Sequence, residues 1–182
     1  MKIRNIIQGG AVLAGLAICA ASVPTASAAT LQSPDSDALD AAYQVIQFDL
    51  KECLALLPKP GVAANGSGLL SPDVLKVSAK VCNDAKGYKP TLEELAKAHD
   101  YTLPADLPYQ LNARYAELVR NENANLGTQY LKDQINSHED ALAIFQQEAA
   151  TGTDPQIKAA VTNAIPTVQA NLILLQDALA KQ

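Results

Sequence analysis

Apolar residues recur at alternating steps of four and three positions along three long segments, and this spacing constrains the fold of the chain most strongly. The segments run from Leu39 to Leu57, from Leu131 to Ala149 and from Val161 to Leu179. A repeat near 3.5 residues keeps one face of each helix turned toward its neighbours, so near-parallel helices packed knobs-into-holes are predicted. No alternating run rich in Val, Ile, Thr and aromatic residues indicates a strand.

Capping residues and prolines predict where the helices begin and end. A capping residue stands before a proline at Ser33-Pro34, Ser71-Pro72 and Thr153-Asp154-Pro155. The capping box from Thr91 to Glu94 follows Pro90 and predicts that a separate helix begins there. Pro166 is expected to bend the last helix. Loops are predicted at 58–70, 104–108 and 151–154.

These elements predict an all-α fold, an up-and-down four-helix bundle with an extra short helix around Tyr109 to Arg120. The predicted organisation is a signal peptide at 1–28, a flexible N-terminus at 29–35 and one helical bundle domain at 36–182. The mature length of about 154 residues fits a single domain.

The first residues have the features of a secretory signal. Lys2 and Arg4 precede an apolar run at 11–23, and Ala26-Ser27-Ala28 offers small residues for cleavage near Ala28. The apolar run is too short to span a membrane. Cys19 would indicate a lipoprotein, but the bulky Ile18 before it disfavours that processing. We expect a periplasmic protein without a direct membrane span, associated with a membrane only through a partner.

The charge of the chain disfavours nucleic-acid binding. The full sequence has a net charge of −5, and removal of Lys2 and Arg4 with the signal makes it −7. Binding to phosphates needs clustered Lys and Arg, and the sequence has no basic stripe.

Two cysteines, Cys53 and Cys82, remain after cleavage. Export favours a disulfide between them, although two buried free thiols are the alternative.

His138 is a weak metal-ligand candidate. It lies on the apolar face of its helix, and no carboxylate, Cys or His occupies the positions three or four residues away. A buried, hydrogen-bonded core histidine is therefore predicted, with a partner or cofactor contact as the lesser alternative. Asp49 and Glu52 share a face off the Leu39–Leu57 seam and are expected to be exposed. No cofactor motif or nucleophile elbow occurs, so neither a catalytic residue nor a cofactor is predicted.

Three stretches resemble a family of exported bacterial helical bundles that is called a domain of unknown function and grouped with ferritin-like folds. They are LEELAKAHDYTLP (92–104), YLKDQINSHEDALAIFQQEA (130–149) and IPTVQANL (165–172). The resemblance implies a ferritin-like four-helix bundle in the periplasm and no established activity. It covers about two-thirds of the mature chain.

The chain departs from this family at three polar positions. Where the family typically has Asp-His, Phe-Asp and His-His, this sequence has Asp84-Ala85, Leu126-Gly127 and Ala170-Asn171. Of the polar residues in the family pattern that could face a shared interior, this sequence keeps only His138. The departures lower the expectation of a metalloenzyme.

Two function hypotheses follow. The first is a non-catalytic accessory subunit that stabilises a larger periplasmic or membrane-bound protein. A candidate, similar in size and compartment but without a shared motif, is the small third subunit of a quinohaemoprotein alcohol dehydrogenase. The second is a ferritin-like stress or metal-handling protein with a degenerate site, in which His138 would gather carboxylates such as Asp49 or Glu117 from other helices.

Overall fold

The protein is all-α in a computed structural model that describes residues 31, 33–56, 70–121 and 125–182. Those residues form five helices and no strand. The helices are α1 (Ser33–Leu56), α2 (Pro72–Ala98), α3 (Tyr109–Arg120), α4 (Leu126–Thr151) and α5 (Pro155–Leu179). Four long helices and one short helix at 109–120 confirm the predicted architecture. None of the described helices combines the length and the apolarity that crossing a bilayer would require.

The long helices form a four-membered ring in which each neighbour runs antiparallel. The Cys53 thiol of α1 donates to the Ser78 carbonyl of α2 at 3.4 Å, while Tyr43, nearer the start of α1, bonds Glu93 near the end of α2. Contacts between α4 and α5, α1 and α4, and α2 and α5 close the ring. This is the bundle that the 3.5-residue repeat predicts.

The connection that contains α3 reverses the expected direction of α4. His99, which follows α2, lies 3.5 Å from Asp154 at the turn between α4 and α5. Gly127, at the start of α4, lies instead beside Val74 at the start of α2. Residues 99–121 therefore run from one end of the bundle toward the other, so α4 runs parallel to α2 and the strictly alternating order is replaced by up-down-down-up. One long crossover occurs in ferritin-like folds, although a ferritin-like assignment itself stays a prediction.

The predicted break at Pro90 is wrong, because α2 continues from Pro72 to Ala98. Leu92 and Ala96 pack into the same core cluster as Ala85, so one buried face runs through the proline. Pro90 is itself exposed, where water can satisfy the carbonyl that loses its helical partner. Pro166 likewise lies within an unbroken α5.

The starts of α2 and α5 follow the predicted capping residues. The Ser71 hydroxyl accepts from the Val74 amide, and Asp154 accepts from the amides of Gln156 and Ile157 at 2.9 and 3.0 Å. Residues 104–108 and 152–154 are non-helical, as predicted. Helix α1 begins at Ser33, ahead of the expected domain start at 36. The signal peptide and most of the 58–70 loop lie outside the described residues.

The core has two clusters, one toward each end of the bundle. The cluster at the turn end, where α4 meets α5, contains Leu39, Ile46, Ala85, Leu92, Ala96, Phe145, Ile157 and Val161. The cluster at the α1–α2 end, where α1 finishes and α2 starts, contains Leu56, Leu70, Val74, Leu118, Tyr130, Leu131 and Leu175. Polar side chains lie between the two clusters.

The predicted disulfide is not formed in the structure, where Cys53 and Cys82 are both free thiols. Cys53 is buried, and its thiol donates to the Ser78 carbonyl rather than bonding Cys82. Burial raises the pKa of the Cys53 thiol above its ordinary range, and the neighbouring Cys82 thiol adds to this shift. The pair therefore corresponds to the alternative of free thiols.

Candidate functional site

His138 is buried on α4, with 3% of its surface exposed. Its Nδ1 lies 2.9 Å from the carbonyl oxygen of Gln134, one turn earlier. Because a carbonyl only accepts hydrogen bonds, Nδ1 carries the proton and Nε2 keeps a lone pair. Burial lowers the pKa of His138 to about 4, so the ring is neutral at pH 7. The prediction of a buried, hydrogen-bonded histidine is confirmed.

The expectation that Asp49 and Glu52 are exposed is wrong. Their exposed fractions are 4% and 0%. Asp49 lines a cavity with side chains of α2, α4 and α5, so it faces the interior of the ring. Glu52 bonds Gln134 of α4 and lies near Arg114 of α3, which packs along a second face of α1. Phe48, fully buried one turn before Glu52, marks this second face. An aromatic residue off the main seam was the one sequence signal for it.

Glu52 is held by an amide from the facing helix. The Gln134 Nε2 donates to Glu52 Oε2 at 2.9 Å, so one residue of α4 bonds both Glu52 and, through its backbone, His138. Burial raises the pKa of Glu52 to about 9, and it raises the pKa of Asp49 well above its ordinary value. Glu52 is therefore protonated near neutral pH in this dry environment, and burial favours the neutral form of Asp49 in the same way.

A cavity of about 320 Å³ reaches from the surface to Asp49 and His138. Its floor comes from α1 and α4, with Asp49 and His138, and its walls come from α2 and α5. Exposed side chains of α2 and α5 surround the mouth, while the deeper lining is apolar apart from Asp49, His138 and Asn171. The lining includes Val45, Ile46, Asp49, Val81, Asn83, Asp84, Ala85, Gly87, Tyr88, His138, Phe145, Asn163, Thr167, Val168 and Asn171.

Two of the three family departures meet at this cavity. Ala85 and Asn171, which stand where the resembled pattern has histidines, both line it together with Asp84 and His138. Gly127 does not, because it packs against Val74 and Leu70 at the α1–α2 end. The crossover through α3 brings these sequence-distant positions together, and no local spacing pattern encodes that placement.

The buried acceptors at this site exceed the donors that reach them. Four carbonyl or carboxyl oxygens have no hydrogen-bond partner among the described residues: Asp49 Oδ1, Glu52 Oε1, Gln134 Oε1 and Asn171 Oδ1. Buried polar atoms are normally paired, so such a concentration requires an explanation. Protonation of Glu52 supplies a donor near Gln134. The oxygens of Asp49 and Asn171 still lack a donor, and both side chains line the cavity.

A metal-binding set is not assembled in the described part of the chain. No group of three or more His, Cys, Asp or Glu side chains there has a suitable arrangement. Asp49 does line the same cavity as His138, whereas Glu117 is exposed on α3 and does not line it. Glu139 and Asp140 face solvent, as their positions beside His138 predict. His99 pairs with Asp154 away from the cavity.

The sequence matches the family model described as a domain of unknown function, DUF4142, over residues 66–177. This match includes α2 to α5 and most of the cavity. The chain belongs to the DUF4142 family. No curated protein matched the sequence.

A solved structure shares the fold of this DUF4142 chain. The crystal structure of a DUF305 fragment from Deinococcus radiodurans superposes with a TM-score of 0.68. The alignment covers 84% of this chain and 99% of that one, at 11% sequence identity. The likeness shows the helical bundle fold, and function has to be argued from the residues of the DUF4142 chain itself.

Proposed function

We propose that this protein is an exported, non-catalytic accessory protein that stabilises a larger protein partner by docking through the α1–α2 end of the bundle. One observation supports this best. Leu54 and Leu75 lie at that end, and so do Ile173 and Leu174 near the end of α5, with exposed fractions between 39% and 64%. Val119, in the last turn of α3, is also exposed and adjoins the buried Leu118 of the same end.

The distribution of these side chains matters more than their number. Five of the six large apolar side chains that are exposed among the described residues lie toward this end, and the exception is Tyr109 at the start of α3, which is 85% exposed. Single exposed apolar residues are ordinary, but large ones gathered at one end are typical of interaction surfaces. At the turn end, by contrast, the large apolar side chains of the core cluster are covered. Desolvation of the leucine and isoleucine side chains would favour association with a complementary apolar surface.

Export and a protein partner remain inferences from the sequence. The signal-like segment at 1–28 supports a periplasmic location, and the absence of a nucleophile motif supports a non-catalytic role. The small third subunit of a quinohaemoprotein alcohol dehydrogenase stays a candidate on size and compartment alone. Neither the family nor the structural neighbour links the chain to that enzyme.

The experiment is affinity purification of the C-terminally tagged protein from native membranes and periplasm in mild detergent, with mass spectrometry of what remains bound. The double variant Leu54→Glu/Ile173→Glu should lose a stoichiometric partner. Ala159→Glu, at an exposed position of α5 toward the turn end, should retain it. Equal recovery by both variants, or a monomer without a partner, would contradict the proposal.

A ferritin-like metal-handling role is the second candidate, because Asp49 and His138 line one cavity as that role requires. Metal analysis of the purified protein tests it. Stoichiometric iron, zinc or copper that is lost in His138→Ala would favour this role over docking alone. Metal-free protein with an intact fold would remove it.

A further inference from the structure

The cavity between α2 and α5 has the form of a binding site for a small molecule. Its volume of about 320 Å³ falls at the lower end of the roughly 300–1,000 Å³ that such sites occupy. Asn83, Gly87, Asn163 and Thr167 are exposed at the mouth, so a ligand could enter from solvent without a change of fold. This site lies between the helices and is separate from the apolar side chains of the α1–α2 end.

The buried polar groups of the cavity present hydrogen-bond acceptors. Asp49 Oδ1 and Asn171 Oδ1 have no partner among the described residues, and both side chains are at least 96% buried. His138 offers a third acceptor, because Nδ1 is used by the Gln134 carbonyl and the lone pair on Nε2 remains. The ligand that completes these groups must donate hydrogen bonds.

The charge of the lining selects among donors. Asp49 and Asp84 are its acidic residues, and the described residues that line the cavity include no Lys or Arg. Lys80 pairs with Asp84 from outside the lining. An anion would meet two carboxyl groups without a compensating cation, whereas a cation would pair with Asp49 in a region of low dielectric.

We propose that this cavity binds a small organic ammonium ion with a short apolar body. The ammonium N–H groups donate to Asp49 Oδ1, His138 Nε2 and Asn171 Oδ1. The apolar body packs against side chains such as Ile46, Phe145 and Val168. A bare metal ion fits less well, since it would need a fuller set of ligands than Asp49 and His138.

Binding is expected to release a proton from Asp49. Burial keeps the pKa of this carboxyl well above its ordinary value, and a neighbouring ammonium ion favours the ionised form. The other titratable groups around it are Glu52 and Cys53 from α1, Asp84 and Tyr88 from α2, and Tyr130 and His138 from α4. The lining residues of α5 do not titrate. Affinity should therefore rise with pH, by at most about tenfold per unit while one proton is released.

Titration calorimetry of the purified protein with n-butylammonium, n-butanol and n-butyrate tests the proposal. We expect n-butylammonium to bind with a Kd of about 1 mM or tighter, and the alcohol and the carboxylate to bind at least tenfold more weakly. Asp49→Asn should lose at least tenfold in affinity for the ammonium ion and lose the pH dependence. Asp177→Asn, an exposed substitution on α5, should leave both unchanged.

A second variant protects the test against misfolding of the first. Thr167→Trp adds bulk at the exposed mouth without touching the buried carboxyl, so it should weaken binding at least tenfold while thermal unfolding stays near that of the wild type. Equal binding of n-butanol, undiminished binding by Asp49→Asn, or no binding of ethyl- to hexylammonium ions would overturn the proposal. Saturable Zn²⁺ binding that excludes n-butylammonium would also overturn it. Loss of partner docking would not affect any of these results.

Discussion

Asp35 and Asp49 lie on the same helix and are buried almost equally, at 1% and 4% exposure, yet their surroundings are opposite. Asp35, at the turn end, accepts hydrogen bonds from the Thr153 amide at 2.8 Å, the Asp154 amide at 3.0 Å and the Thr153 hydroxyl. Asp49, between the two core clusters, has an oxygen, Oδ1, that no described residue bonds, and it faces a cavity.

The pKa values of the two carboxyl groups record this difference. Burial alone would raise the pKa of Asp35, but the hydrogen bonds from Thr153, Asp154 and Glu148 together outweigh it, and the pKa lies below its ordinary value. Burial raises the pKa of Asp49 with far less compensation. One carboxylate fastens α1 to the turn between α4 and α5, whereas the other has capacity left for a ligand.

The largest expected difference between the two carboxyl groups is in stability, and it comes from Asp35 at the turn end. Asp35→Ala leaves the Thr153 and Asp154 amides without their acceptor and should lower the free energy of unfolding by about 3 kcal/mol. Asp35→Asn keeps one acceptor oxygen and should lose less. Asp49→Asn, which replaces a buried carboxyl with an amide of nearly the same size, should change stability by no more than about 1 kcal/mol. Urea unfolding at pH 7 measures all three.

A similar loss in Asp35→Ala and Asp49→Asn would show that both carboxyl groups are structural. In that case the unpaired oxygen of Asp49 would have no bearing on ligand binding, and the cavity would be a packing defect.

The next largest expected effect is the pH dependence of stability that Glu52 causes. Its pKa is raised from 4.5 to about 9, chiefly by burial, with Asp133 and Asp49 adding to the shift and Arg114 opposing it. The folded state therefore binds more protons than the unfolded state between these values. The contribution of Glu52 to the free energy of unfolding is fully present below about pH 4.5. It falls as the pH rises toward 9, by up to about 1.4 kcal/mol per pH unit.

Glu52→Gln should remove this contribution and make the protein more stable than the wild type at pH 8. Urea unfolding between pH 6.5 and 9 measures the slope, above the range in which His138 titrates. Glu139→Gln, at an exposed position of α4, should keep the wild-type slope. An unchanged slope in Glu52→Gln would mean that Glu52 is ionised in the fold.

The sequence predicted the bundle well because its information is local. The apolar seams, Ser71 and Asp154 each act within one helix or at one helix end, and the structure confirms them. Pro90 was misread because the buried face formed by Ala85, Leu92 and Ala96 holds α2 together through tertiary packing. Local propensity is routinely overridden in this way.

The site was harder to predict because it depends on a crossover. His138 could be placed in the core from its own helix, but the burial of Asp49 and Glu52 depends on how the other helices pack against α1. Only that arrangement, together with the parallel course of α2 and α4, brings Asp84, His138 and Asn171 to one cavity. Sequence spacing within single helices carries no information about it.

Two glycines allow the same substitution to be compared in both regions. A Cβ at Gly152, in the turn held by Asp35, would lie 2.6 Å from the Glu148 carbonyl oxygen, so the backbone must shift. A Cβ at Gly87, at the cavity mouth, meets nothing within 4 Å. Gly152→Ala should cost about 1–3 kcal/mol, whereas Gly87→Ala should gain up to about 1 kcal/mol of helix propensity. Thermal unfolding of both variants checks the opposite signs, and a shared sign would mean that the two regions are equally close-packed.

The smallest expected effect on stability concerns Lys80, which pairs with Asp84 four residues later on α2. Both side chains are partly exposed, so Lys80→Ala should change the free energy of unfolding by less than about 0.5 kcal/mol. It should nevertheless raise the affinity for n-butylammonium about two- to threefold, because Asp84 lines the cavity and loses its neutralising cation.

Lys89→Ala breaks the equivalent pair with Glu93. Glu93 does not line the cavity, so this variant should match the stability change and leave affinity unaltered. Equal affinities in the two variants would confine cation recognition to the buried groups around Asp49.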